Sequence, residues 1–274
     1  MILKNKYLMI ILAVIIIKIN FSINVKAEEY SRFNNISIED GLSQATVETM
    51  MQDSKGYIWL GTNDGLDRYN GYTFKKYSYE KGQENSLVNS YILDIKEDSE
   101  GNIWVATAAG ISKIYDDGEK VQNYTSDSES GNLSNDNTAT LLISSSNKIY
   151  VGTAEGINLY DKKTDKFNLI YPELKEEYVN SLAEDKYGNI WAGTENGLYK
   201  INVVTNAIER FESTDDVNTI SENYIYKVYY DGDKHIWIGT YDNGFCKLNI
   251  ENNKVTRYVL TREDGTIRGA ILSC

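Results

Sequence analysis

After its first 27 residues the chain alternates apolar and polar positions over short stretches and never settles into helical spacing. Residues 91–95 alternate, Asp98-Ser-Glu-Gly101 turns, residues 103–107 form a run of strand formers, and Ala108-Ala109-Gly110 turns again. Residues 111–115 continue, Asp116-Asp117-Gly118 turns a third time, and residues 121–124 close the pattern. Four short strands joined by three tight turns make one antiparallel four-stranded unit.

That unit recurs. Trp59-Leu-Gly61-Thr62 is followed by Gly65, Trp104-Val-Ala106-Thr107 by Gly110, and Tyr150-Val-Gly152-Thr153 by Gly156. Trp191-Ala-Gly193-Thr194 is followed by Gly197, and Trp237-Ile-Gly239-Thr240 by Gly244. The aromatic position steps by 41 to 46 residues, a period at which all-strand repeats stack radially. The pattern predicts an all-β chain, a β-propeller of four-stranded antiparallel blades at about 41–77, 85–124, 131–170, 178–211 and 218–258, with a partial blade at 265–274. A middle strand covered on both faces need not alternate, which explains Ile-Trp-Leu and Ile-Trp-Ile. Each Trp is expected to pack between blades and to need an acceptor for its indole N–H. Gly61, Gly152, Gly193 and Gly239 are expected to admit a bulky side chain of the next blade against the backbone. Gly65, Gly110, Gly156, Gly197 and Gly244 sit where a hairpin demands positive φ.

Ahead of the repeats, Lys4 and Lys6 precede an apolar run over residues 7–17, broken at Lys18. That run is too short for a hydrocarbon core, which takes about 20 helical residues. With Val25-Lys26-Ala27 it reads as a signal peptide over residues 1–27, cleaved before Glu28. An uncleaved anchor is the other reading, since Ile19, Phe21, Ile23 and Val25 extend the apolar character. Both place the bulk of the chain outside the cytoplasm, periplasmic or extracellular. Composition agrees with strands: 22 Tyr and 20 Gly against a single Pro. Loss of residues 1–27 removes four lysines and no acid, leaving a balance of −16 from the −12 of the whole chain. So acidic a protein repels phosphate backbones and is expected to bind no nucleic acid.

Few residues offer chemistry. Cys246 and Cys274 form no CxxC and no metal spacing, and whether they pair is left open. The single histidine, His235, excludes a multi-histidine zinc site and leaves at most one triad base; its place before Trp237 makes it a surface turn residue. Asp53, Asp98, Asp185 and Asp231 precede turn glycines and are expected to accept turn N–H bonds. A calcium loop would need oxygen ligands at alternate positions, which are missing. We therefore expect no metal, no cofactor and no catalytic residue. Tyrosines such as Tyr69, Tyr115, Tyr124 and Tyr160 recur in repeat positions and are assigned to packing. Turn tips vary while the frame stays fixed, so a ligand is expected on the face of the second-to-third-strand turns, at Asn63, Asp64, Glu155, Glu195, Asn196, Tyr241 and Asp242. Two other readings stand beside it: a propeller enzyme such as a glycosidase or lyase, or a protein-interaction propeller. A sialidase-like site would need an arginine cluster, and Arg occurs only at 32, 68, 210, 257, 262 and 268.

The string Asp53-x-x-Gly56-x-Ile58-Trp59-Leu60-Gly61-Thr62-x-x-Gly65-Leu66-x-Arg68-Tyr69 resembles the two-component regulator propeller repeat, and the resemblance covers roughly residues 31–274. Gly41-Leu42-Ser43 and Asn85-Ser86-Leu87 resemble its start. Tyr150 for Trp, Ala106 for Gly, Lys234 for Gly and a longer turn at Tyr241-Asp242-Asn243 depart from it. The resemblance implies a seven-bladed extracytoplasmic sensor ahead of a membrane helix and a histidine kinase or diguanylate cyclase, binding a small molecule or oligosaccharide. Five units fall short of seven, which leads to the expectation of part of a longer protein. Residues 265–274, with Ile267 and Ile271, would begin a sixth unit, and residues 33–38 would supply an outermost strand. The fifth blade would then present Ile236, Ile238 and Phe245 on an uncovered face and favour a dimer.

Overall fold

The computed structural model describes residues 35–127, 132–258, 260–261 and 267–268. The chain divides between Ile36 and Ser37, and every described helix and strand falls in the unit Ser37–Cys274. It holds five antiparallel sheets of four strands, each in simple chain order. The first blade comprises Val47–Gln52, Ile58–Thr62, Gly65–Tyr69 and Phe74–Tyr77; the second, Ile92–Glu97, Ile103–Thr107, Gly110–Ile114 and Val121–Tyr124. The third comprises Thr138–Ile143, Ile149–Thr153, Gly156–Asp161 and Lys166–Ile170; the fourth, Val179–Glu184, Ile190–Thr194, Gly197–Asn202 and Ala207–Phe211. Ile225–Tyr230, His235–Thr240, Phe245–Asn249 and Val255–Tyr258 form the fifth. The first strands of successive blades lie side by side in chain order. These are the blades of a β-propeller.

The core is four layers, one between each pair of neighbouring blades. Trp59 and Leu66 pack against Ile92, Ile95, Ile103 and Val105 of the second blade. Trp104 and Ile111 meet Leu141, Ile149 and Val151 of the third. Tyr150 and Ile157 meet Val179, Leu182 and Ile190, and Trp191 and Leu198 meet Ile225, Val228, Ile236 and Ile238. The aromatic side of each blade thus covers the aliphatic side of the next, and the second strands of the three middle blades are buried throughout. Three of the close-approach glycines, Gly61, Gly152 and Gly193, do what their position predicts. A Cβ on Gly61 would come within 2.6 Å of Ile92 Cγ2, one on Gly152 within 2.8 Å of Val179 Cγ1, and one on Gly193 within 2.6 Å of Ile225 Cγ2. Where the second blade has Ala106 instead, the third presents Thr138, whose hydroxyl donates to Thr107 O at 2.7 Å.

The turn aspartates and the tryptophans serve one another. Asp98 Oδ1 accepts the N–H groups of Glu100 and Asn102, while its Oδ2 accepts Trp104 Nε1–H at 2.8 Å. Asp53 holds Trp59 at 2.7 Å and Asp185 holds Trp191 at 2.8 Å in the same way. Opposite each Trp on the third strand stands a cation over the indole: Arg68, Lys113, Lys200 and Lys247, at 5.6, 5.0, 5.3 and 5.4 Å. In the third blade all three positions differ together, as Ser144, Tyr150 and Leu159. In the fifth, Asp231 Oδ2 is engaged by His235 Nδ1 at 2.8 Å, which places the histidine in turn capping.

The links are latched to the blades they enter. Leu42, Leu87, Leu133, Leu174 and Ile220 are all buried. Next to them, Ser43 N donates to Asp67 Oδ2 at 2.7 Å, Val88 N to Ser112 Oγ at 3.0 Å, and Ser134 N to Asn158 Oδ1 at 2.9 Å. Ser221 N donates to Cys246 Sγ at 3.2 Å, so the buried thiol fills the same slot. In the fourth blade Tyr199 OH donates to Glu177 of the link instead.

Two expectations are corrected. The outermost strand over residues 33–38 is absent from its described part: residues 35–37 carry no regular structure and Ile38–Asp40 is a 3-10 turn. Ser37 Oγ accepts Glu39 N–H and Asp40 reaches back to Ser37 N, a capping box that outcompetes extended backbone. Ile236 and Ile238 are fully buried against the fourth blade, because alternation points them to the side opposite Trp237. The other side of the fifth sheet carries Tyr229, 64% exposed, with the half-buried Trp237, Phe245 and Tyr258. Beyond the fifth blade, Leu260–Thr261 pairs antiparallel with Ile267–Arg268. The expected signal peptide over residues 1–27, Ile271 and Cys274 lie outside the described residues.

Candidate functional site

In each blade the second-to-third-strand turn lies at the end where the link delivers the first strand, so turns and links share one rim. The turns are closed alike: Thr62, Thr107, Thr153, Thr194 and Thr240 donate their hydroxyls to the carbonyls of Gly65, Gly110, Gly156, Gly197 and Gly244. Gly65 takes φ 128°, and a Cβ there would sit 2.8 Å from Tyr77 O. A register shift near the start of every first strand skips its second residue, Glu48, Leu93, Ala139, Asn180 or Tyr226, and the pairing then carries on to the residue just ahead of the strand. That residue then faces the one after the threonine: Ala108 N donates to Tyr91 O, Ala154 N to Asn137 O and Tyr241 N to Tyr224 O. By register, Thr46 stands beside Asn63 and Tyr178 beside Glu195.

The rim is therefore uneven on an even frame. Its first three blades present Thr46 and Asn63, Tyr91 and Ala108, Asn137 and Ala154. The last two present Tyr178 and Glu195, Tyr224 and Tyr241. Tyr224 and Tyr241 stack with centroids 4.9 Å apart and planes 9° from parallel. Burial, then the negative charge of Glu195, pushes the Tyr224 hydroxyl above the usual range. Burial also raises Tyr178, which donates to Asn137 Oδ1 at 3.1 Å.

Of the residues the sequence singled out, Glu195 and Tyr241 meet through Tyr224. Asp242 follows Tyr241, its backbone N donating to Glu222 Oε2 at 2.9 Å. Asn196 Nδ2 donates to Glu177 Oε2 at 3.1 Å, and Glu155 accepts from Asn135 Nδ2 at 3.1 Å. Asn63 and Asp64 are exposed on the first blade's turn, and the contacts among the described residues do not bring them to the tyrosines. Tyr178, Tyr224, Glu177 and Glu222 escaped the sequence reading. Their signal was present, since Tyr91, Asn137, Tyr178 and Tyr224 each stand one residue before an inner strand. Two open grooves, of about 590 and 430 Å³, lie between the fourth and fifth and between the third and fourth blades. They follow from the splay of adjacent sheets. Among the described residues no three His, Cys, Asp or Glu side chains converge to hold a metal ion, and no helix is long and apolar enough to cross a membrane.

Residues 41–64, 86–109, 173–196 and 219–242 match the family model of the two component regulator propeller. The third blade, which lacks the Asp–Trp–cation set, is not among the matched segments. Histidine kinase P4 of Formosa agariphila is 42% identical over 57 residues, 20% of this chain and 4% of that protein. Among solved structures, the extracellular domain of a protein assigned as the hybrid two component system BT4673 of B. thetaiotaomicron gives a TM-score of 0.53 at 22% identity. That match covers 89% of this chain and 36% of the other. Streptogramin B lyase gives 0.63 at 16% identity, over 83% and 76%. At these identities the structural likeness is one of fold. The chain spans a small part of the curated relative and well under half of the two-component domain.

Proposed function

We propose that this chain, four of whose segments are two component regulator propeller repeats, is an extracytoplasmic ligand-binding domain serving a sensor of the two-component or cyclic-dinucleotide kind. A small molecule or oligosaccharide seats on the rim, and the domain itself performs no chemistry. The observation that carries this reading is the contrast between frame and rim. Threonine, glycine and aspartate recur from blade to blade, whereas the paired rim positions run from Ala154 to the Tyr224–Tyr241 stack. Surfaces varied on a rigid scaffold are where binding is built. The histidine kinase relative and the extracellular two-component domains agree with a sensing role and with a place outside the cytoplasm.

An enzyme reading draws on the lyase neighbour, but a shared propeller does not carry chemistry with it. The one histidine of the chain caps a first-to-second-strand turn, at the opposite end of the fifth blade from the rim. It is in no position to act as a base there. Calorimetry against an oligosaccharide panel tests the proposal. Glu195→Ala and Tyr241→Ala should each weaken binding about tenfold or more while stability stays within about 0.5 kcal/mol. Unchanged binding in both variants would move the ligand off the rim.

A further inference from the structure

The rim's charge is arranged differently from that of the opposite end. There, four carboxylates pair with lysines, Lys55 with Asp116, Lys75 with Glu119, Lys162 with Glu100 and Lys186 with Glu251, while Glu97 and Glu184 accept from Ser54 and Ser145. On the rim, carboxylates meet neutral donors. Glu155 accepts from Asn135, Glu177 from Asn196 and Tyr199, and Glu222 from two backbone N–H groups. Two arginines nearby direct their guanidinium groups to main-chain carbonyls, Arg210 to Asn196 O and Arg257 to Thr219, Asp216 and Ile220 O. Of these two, Arg210 alone also pairs with an acid, Glu212. Glu195 stands beside Tyr178 by register, on a turn that is exposed, and its negative charge acts on the Tyr224 hydroxyl of the next blade.

We propose that the rim between the fourth and fifth blades receives an organic cation, an alkylammonium group set against the Tyr224–Tyr241 stack and neutralised by Glu195. The inference rests on the ligand-binding reading above and narrows its ligand class. Aromatic faces attract cations through their quadrupole, and a carboxylate at the edge adds direct charge attraction. Tyr241 is 44% exposed although stacked, so ring surface remains for a ligand. A neutral sugar could stack on the same rings but would gain no charge attraction from Glu195. An anionic glycan would meet Glu177, Glu195 and Glu222 together.

The test uses two probes of one shape: the β-1,4 tetramer of glucosamine with its amines protonated, and the N-acetylated tetramer. The amine form should bind about tenfold tighter, and the preference should shrink with added salt. Glu195→Gln should abolish most of that preference. Tyr241→Ala should weaken the amine form about tenfold and Tyr241→Phe should retain it, with thermal melts confirming folded variants. Equal or tighter binding of the acetylated form would overturn the cation and leave the rim as a site for neutral ligands. Binding of neither probe would also overturn the cation; the alanine series on the oligosaccharide panel would then judge the rim by itself.

Discussion

A single carboxylate oxygen receives the indole N–H of each of the three buried tryptophans, Trp59, Trp104 and Trp191. Trp104 is fully buried, and its indole N–H has Asp98 as partner. Removing the ring empties a packed layer, so Trp104→Ala and Trp191→Ala should each cost about 3–5 kcal/mol in denaturant melts. Asp98→Ala leaves the ring in place but strips its acceptor and two turn partners, for a cost of about 1–3 kcal/mol. Near-native stability in either tryptophan variant would contradict the layered core. At this scale much was legible. The need for an acceptor and the aspartates' turn bonds could both be read from spacing. That one side chain does both jobs could not, because it requires the seven residues from Asp98 to Trp104 to fold back on themselves. Nor was the cation over each ring read, although Arg68, Lys113 and Lys200 all stand nine residues after their tryptophans. Its meaning depends on the pairing register.

At the scale of the blade, the third unit shows what happens when the set is exchanged as a whole. Tyr150→Trp alone would add an indole N–H opposite Ser144 with no carboxylate to receive it. Joined with Ser144→Asp it regains the arrangement of its neighbours. The two substitutions should be non-additive by about 1 kcal/mol or more in a double-mutant cycle. Simple additivity would show the set to be coincidence. The seam between the second and third blades carries a different contact. Burial pushes Asp165 up, but the Tyr160 and Tyr124 hydroxyls, the Gln122 amide and the Lys113 charge together hold it below the usual carboxylate range. Asp231 is held down to about 2: burial acts against this, and is outweighed by the N–H groups of His235, Asp233 and Lys234 and the His235 ring. Groups with lowered folded values add stability above the ordinary aspartate value of about 3.9, and that stability is lost as pH falls through the folded value. Thermal melts should therefore decline from about pH 4 towards 2, and Asp165→Asn should flatten part of that decline. A profile unchanged in this variant would remove the seam contact from the acid response.

For the molecule as a whole, periodicity carried the architecture and variation carried the site, and the two were not equally readable. Four-stranded units follow from turns at fixed spacing. The rim depends on a register shift in each first strand and on links of unequal length, neither of which leaves a fixed-spacing mark. Tyr178 and Tyr224 accordingly went unmarked among the 22 tyrosines. Residues 33–38 misled for a related reason: the alternation of apolar residues suits a strand, but Ser37 and Asp40 close a local turn first. The latch joining each link to its own blade has a consequence for descent. Val88 on Ser112 and Ser134 on Asn158 keep the entry contact of a blade inside the stretch of gene that encodes it. A segment copied from one link to the next therefore arrives with its own fastening. Such a cassette can be duplicated, or left to diverge as the third one has, without unpicking the fastening of either neighbour.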